Sequence, residues 1–77
     1  MAVQPFLLVV VDEDKKHFAI KGPMTDDRPW INRVCAAQAS GRQVRCFTSG
    51  HSNASTAAEA VKAQFGYDEA VIDLPAA

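Results

Sequence analysis

The chain has no strong excess of either charge, few aromatic residues, only two cysteines and no apolar run long enough to span a bilayer. Each shortage excludes something. Eight lysines and arginines against nine aspartates and glutamates leave a formal net charge of −1, and the sequence pI is near 6.0. A general nucleic-acid binder would show a domain pI above about 9. Cys35 and Cys46 stand in neither a CxxC nor a CxxH arrangement, so no zinc site is expected. Two cysteines are also too few for a disulfide scaffold. Neither GxGxxG nor GxxxxGK[ST] occurs, which removes two sequence signatures of phosphate-cradling loops. Nothing supplies a nucleophile, a base and an oxyanion donor together. No catalytic residue, metal or cofactor is therefore assigned, and the chain is not read as an enzyme. The longest apolar run has six residues, where a spanning helix needs about 20, so no membrane partner is expected. No basic run precedes it and no small-residue cleavage site follows it, which gives the expectation of a cytoplasmic protein with reduced thiols.

That run, Phe6-Leu7-Leu8-Val9-Val10-Val11, is the most informative feature present. It has no polar face, and its β-branched content and the charged turn after it favour a strand. A strand apolar on both faces is normally buried on both. The length, 77 residues, reads as one domain over residues 1–77. A chain of this size buries only about 60% of the surface that its unfolded form exposes. Its core contributes about 3–5 kcal/mol net without help from disulfides, a metal or oligomerisation.

The remaining elements follow in order. Residues 5–11 form the first strand, and Asp12 to Lys16 a solvated carboxylate-rich turn. His17 to Lys21 alternate as a half-buried second strand, making a hairpin that Gly22-Pro23 ends. Asp26 and Asp27 start a helix over residues 27–40, with Pro29 in its first turn and Gly41 past its end. Trp30, Ile31, Val34, Cys35 and Gln38 make its apolar stripe, with Ala37 at the margin. Gln43 to Thr48 form a third strand, with Val44 and Cys46 on one face and Arg45 and Phe47 on the other. A second helix carries Ala54, Ala57, Ala58, Val61 and Phe65 on one stripe, and Gly66 ends it. Ala70 to Leu74 make a short last strand.

The fold class is therefore α+β, an α/β two-layer ββαβαβ arrangement with a four-stranded mixed sheet. The second strand is expected at one edge, the first inside, and the third and fourth beyond it. If the sheet keeps growing in one direction, right-handed crossovers put both helices on one face. The other face would then be open and carry Leu7, Val9, Val11 and Phe47, with Arg45 among them. An apolar patch of that kind marks a contact surface. The leading expectation is a small interaction module, homodimeric or bound to another protein, that uses the open face or an edge strand.

Two alternatives belong to other classes. The loop Ser49-Gly50-His51-Ser52-Asn53 lies after a strand and before a helix, where a small anion or nucleotide phosphate could meet free N–H groups and a positive dipole end. Ordinary capping explains the same residues. Arg42 and Arg45 with Phe47, Arg33 and Lys21 would make a weak platform for RNA or single-stranded DNA if one face held them all. The near-neutral charge and single aromatic ring argue against nucleic acid. Cys46, His51 and Cys35 could suggest thiol chemistry, but both cysteines fall at core-like positions.

Overall fold

The computed structural model describes residues 4–76. The elements run β1 (Phe6–Asp12), β2 (His17–Met24), α1 (Arg28–Ala39), β3 (Val44–Ser49), α2 (Ala54–Phe65) and β4 (Asp68–Glu69). They build a four-stranded mixed sheet with two helices, an α+β domain of ββαβαβ order.

β1 and β2 form the expected hairpin, with Val11 opposite Phe18 and Val9 opposite Ile20. Asp12 shapes the turn between them. Its Oδ1 accepts from the N–H groups of Asp14 (3.0 Å) and Lys15 (3.2 Å), so a short polar side chain substitutes for a backbone bond. β2 runs past Gly22-Pro23 to Met24 rather than ending there, because the register shifts between Phe6 and Leu8 and absorbs the extra residue.

The strand order is β3-β1-β2-β4, which corrects the expected sequence of neighbours. β3 pairs antiparallel with β1, and the last strand pairs parallel with β2 rather than following β3. The last strand is also Asp68–Glu69, not Ala70 to Leu74. After Glu69 the backbone holds β2 through one more bond, Ala70 N–H to Phe18 O at 2.9 Å. The next residues then leave the sheet. Ile72 is buried, and Leu74 packs, against the α1 side of the core, while Arg42 pins the segment by donating to the Asp73 carbonyl at 2.7 Å. Burial of alternate apolar residues thus takes this segment out of the sheet.

The expected placement of both helices on one face is likewise corrected. One core cluster joins Leu8, Val10, Ala19 and Val44 to Val34 and Ala37 of α1. The other joins Val9, Val11 and Phe18 to Val61 of α2. Side chains alternate across a strand, so the helices lie on opposite faces. Strand order supplies the reason. β2, β3 and β4 run parallel to one another. The α1 crossover moves from β2 to one edge of the sheet, and the α2 crossover moves back from that edge to the far side. Two crossovers of the same hand that travel in opposite directions must use opposite faces.

The open face therefore does not exist. Leu7, Val9 and Val11, expected on an exposed patch, are 2%, 0% and 0% exposed. β1 is apolar on both sides because a helix covers each side, and each such buried side chain contributes about 1.5–3 kcal/mol of transfer free energy.

Candidate functional site

With both faces covered, the free surfaces of the sheet are its edges. β3 is one of them, and it has no strand on its outer side among the described residues. Which of its backbone groups look outward follows from one bond. Glu13 N–H donates to Gln43 O at 2.9 Å, in register with Asp12 opposite Val44. Hydrogen-bonded and non-bonded pairs alternate along an antiparallel ladder. Arg45, Phe47 and Ser49 therefore bond to β1, while Val44, Cys46 and Thr48 direct their N–H and C=O groups outward. The Val44 carbonyl has a partner already, because Gln38 Nε2 of α1 donates to it at 2.8 Å. Among the described residues, the N–H and C=O groups of Cys46 and Thr48 remain open.

Natural edges are usually blunted by proline, bulges, lysine or a covering segment. The opposite side of the sheet has all of these. β2 carries Lys21, the Gly22-Pro23 irregularity and the short cover of β4. Among the described residues β3 has none of them, and its one charged side chain is neutralised, since Arg45 Nη2 lies 3.0 Å from Glu13 Oε1.

Beside this edge, on the α2 face, runs a strip of half-buried rings. Phe47 stacks on Phe65 with centroids 5.9 Å apart, and Phe65 meets Tyr67 edge-on at 5.6 Å. The Arg45 guanidinium lies 5.2 Å from the Phe65 ring. Tyr67 donates its hydroxyl to Glu13 Oε2 at 2.5 Å. That bond to a carboxylate, with burial and the negative charge adding, raises the Tyr67 pKa. Of the residues expected in an interface, Arg45 and Phe47 belong to this edge, and Leu7, Val9 and Val11 lie in the interior. Sequence reading missed Gln38 as an edge cap and Phe65 and Tyr67 as ring partners. Gln38 gave a usable signal, being the one polar member of the α1 stripe.

The Ser49–Asn53 loop is exposed apart from Ser49, which is half-buried. Asn53 caps α2, its Oδ1 accepting from Ser55 N–H (2.9 Å) and Thr56 N–H (3.2 Å). Ser49 Oγ accepts from His51 N–H at 3.1 Å. Three of the donors that an anion would need are thus used within the loop, while Gly50 and Ser52 stay on its exposed rim.

The cations expected on one nucleic-acid platform are not brought together. Lys21 and Arg33 flank Trp30, 5.1 and 5.2 Å from its ring, on the α1 side. Arg45 faces α2, and Arg42 binds the Asp73 carbonyl and pairs with Asp12 at 3.5 Å. Beside α1, Asp26 accepts two bonds from the Arg28 side chain, both at 2.9 Å. These bonds hold its carboxyl down at about 2.

Cys35 is exposed, which corrects its expected core position, because the buried stripe of α1 runs through Val34 and Ala37. Burial, with smaller effects of Asp27 and Cys35, pushes the Cys46 thiol up, away from the thiolate that nucleophilic chemistry needs. Among the described residues no cluster of three His, Cys, Asp or Glu could hold a metal ion, and no helix is long and apolar enough to cross a membrane.

The fold and edge define the class: a small α+β domain with one sheet edge that no described residue covers with a strand. In comparisons with protein-family models, curated proteins and solved structures, the chain has no significant match.

Proposed function

We propose that this protein is a small interaction module that works by adding a strand along the outer side of β3, and that its partner is a second copy of itself. The observation that supports this is the pair of residues Cys46 and Thr48, whose outward backbone groups have no partner and no protecting device among the described residues. Strand addition at an open edge is a recurring recognition mode, in which main-chain bonds supply affinity and neighbouring side chains supply selectivity. Aromatic residues and arginine are enriched at the centres of protein interfaces, and Phe47, Phe65 and Arg45 line this edge. The neutralised edge lets two copies approach without like-charge repulsion. A cytoplasmic setting, with both thiols reduced, agrees with this reading.

The test is absolute mass by light scattering on a sizing column across a range of concentrations. The expected result is a dimer of the 8.3 kDa chain that dissociates on dilution. Thr48→Pro is expected to give a monomer with unchanged circular dichroism, because the N–H it removes is not bonded to any described residue and proline is tolerated on edge strands. A wild-type chain that stays monomeric at the highest concentration overturns the reading. Anion binding at the Ser49–Ser55 loop has less support, since the N–H groups of His51, Ser55 and Thr56 are engaged by Ser49 and Asn53. Shifts of its amide resonances in millimolar phosphate would restore it.

A further inference from the structure

We infer that the two copies pair antiparallel with Phe47 facing its counterpart across the two-fold axis, and that Gln38 sets this register. The inference rests on β3 being the docking edge and goes further by fixing how the edges meet.

A closed dimer built from the same patch on both copies is isologous. A two-fold axis perpendicular to the sheet makes the joined strands antiparallel. It also keeps each α1 on one face of a continuous sheet and each α2 on the other. Only residues with outward backbone groups can form the bonded pairs, which leaves Val44, Cys46 and Thr48. Two registers use the middle of the strand. In one, Cys46 faces Cys46 on the axis, and Val44 must exchange bonds with Thr48 of the second copy. In the other, the axis passes through Phe47, and Cys46 exchanges both bonds with Thr48 in each direction.

Gln38 separates the two. Its amide already takes one of the two acceptor sites of the Val44 carbonyl, at 2.8 Å and from the outer side, and the first register makes the incoming Thr48 N–H compete for that same outward direction. The second register leaves Val44 O alone and uses the Cys46 and Thr48 groups, four of those left open among the described residues. It also brings Phe47 against Phe47 at a non-bonded pair, where side chains come closest. Each ring is already stacked on its own Phe65, so the contact joins the two aromatic strips into one row. Arg45 then faces Ser49 of the second copy rather than another charge. Gln38 is a positioning residue here, acting through the Val44 carbonyl.

Disulfide trapping reads the register directly. One protein carries Cys35→Ser and keeps Cys46. The other carries Cys35→Ser, Cys46→Ser and Thr48→Cys. In the Phe47-centred register, Cys46 and the thiol introduced by Thr48→Cys form a direct bonded pair, with Cα atoms about 5.5 Å apart, within disulfide range. Like thiols are diagonal neighbours at about 7–8 Å, beyond it. With oxidised glutathione, the mixture is expected to give covalent dimer and neither protein alone to do so. Adding Gln38→Ala to the Cys46 protein frees the Val44 carbonyl and is expected to produce covalent dimer of that protein alone.

Covalent dimer of the Cys46 protein with Gln38 intact overturns the register while the homodimer reading stands. No covalent dimer in any sample, with light scattering still showing a dimer, places the contact away from β3 and overturns both. A monomer by light scattering overturns the homodimer reading, and the register with it. Arg45→Cys mixed with Ser49→Cys, each on a background lacking both native thiols, reports the same register from the α2 face if Thr48→Cys or Cys46→Ser fails to fold.

Discussion

Gly22 sits in β2 beside the register shift against β1, with φ of 113°. A Cβ there would lie 2.9 Å from the Phe6 carbonyl oxygen and 3.0 Å from the Met24 nitrogen, both backbone atoms that cannot swing away. Gly22→Ala is therefore expected to cost about 2 kcal/mol, combining a left-handed conformation with a steric clash, measured as a lower midpoint in urea unfolding. Tyr67 offers a second test at this scale. Its pKa is raised because its hydroxyl donates to the Glu13 carboxylate. A raised folded pKa means that the bond stabilises the fold below the free tyrosine value of about 10 and is lost as pH rises through the folded value. As the only tyrosine, it can be followed by phenolate absorbance. The midpoint is expected above that of the unfolded chain, and Glu13→Gln is expected to bring it back down. Unshifted midpoints in both proteins would remove the Tyr67–Glu13 bond from the description of the edge.

At the scale of elements, each helix begins with a side chain that satisfies orphan amides. α2 uses Asn53, which accepts from both Ser55 and Thr56. α1 uses Asp26, which accepts from Arg28 N–H at 3.1 Å, while the N-cap Asp27 makes no side-chain bond. Asn53→Ala is expected to destabilise the chain by about 1 kcal/mol, seen as a fall in melting temperature. The same substitution should leave the mass in solution unchanged, because the cap and the β3 edge are separate devices. β3 differs from the helices in that its two sides are unequal. Its inner side is held along its whole length by β1, whereas among the described residues its outer side receives only the Gln38 amide.

For the molecule as a whole, the reversal of direction between the two crossovers is the governing feature. It puts β1 at the centre, covers both its faces and leaves β3 at an edge. Val9 is fully buried beneath α2. Val9→Lys is therefore expected to unfold the chain, because a buried unpaired ammonium costs more than a core of about 3–5 kcal/mol can absorb. Far-ultraviolet circular dichroism checks this. A folded and monomeric Val9→Lys protein would instead mean that this face is open, with α2 placed elsewhere.

The sequence alone determined the elements that local chemistry decides. The hairpin followed from an apolar run and an alternating run around an acidic turn. Both helices followed from caps and stripes, and Arg45 and Phe47 were placed on the face opposite Val44 and Cys46 by period-two alternation. The run Phe6–Val11 even demanded cover on both sides. Tertiary structure decided the strand order, the face that each helix covers and the edge left free. The physical reason lies in the last strand. Asp68 and Glu69 have low strand propensity and gain their place by pairing with β2, while the more strand-like Ala70 to Leu74 gain more by burying Ile72 and Leu74 beside α1. No local pattern records that competition, and the face of α2, hence the identity of the open edge, depends on its outcome.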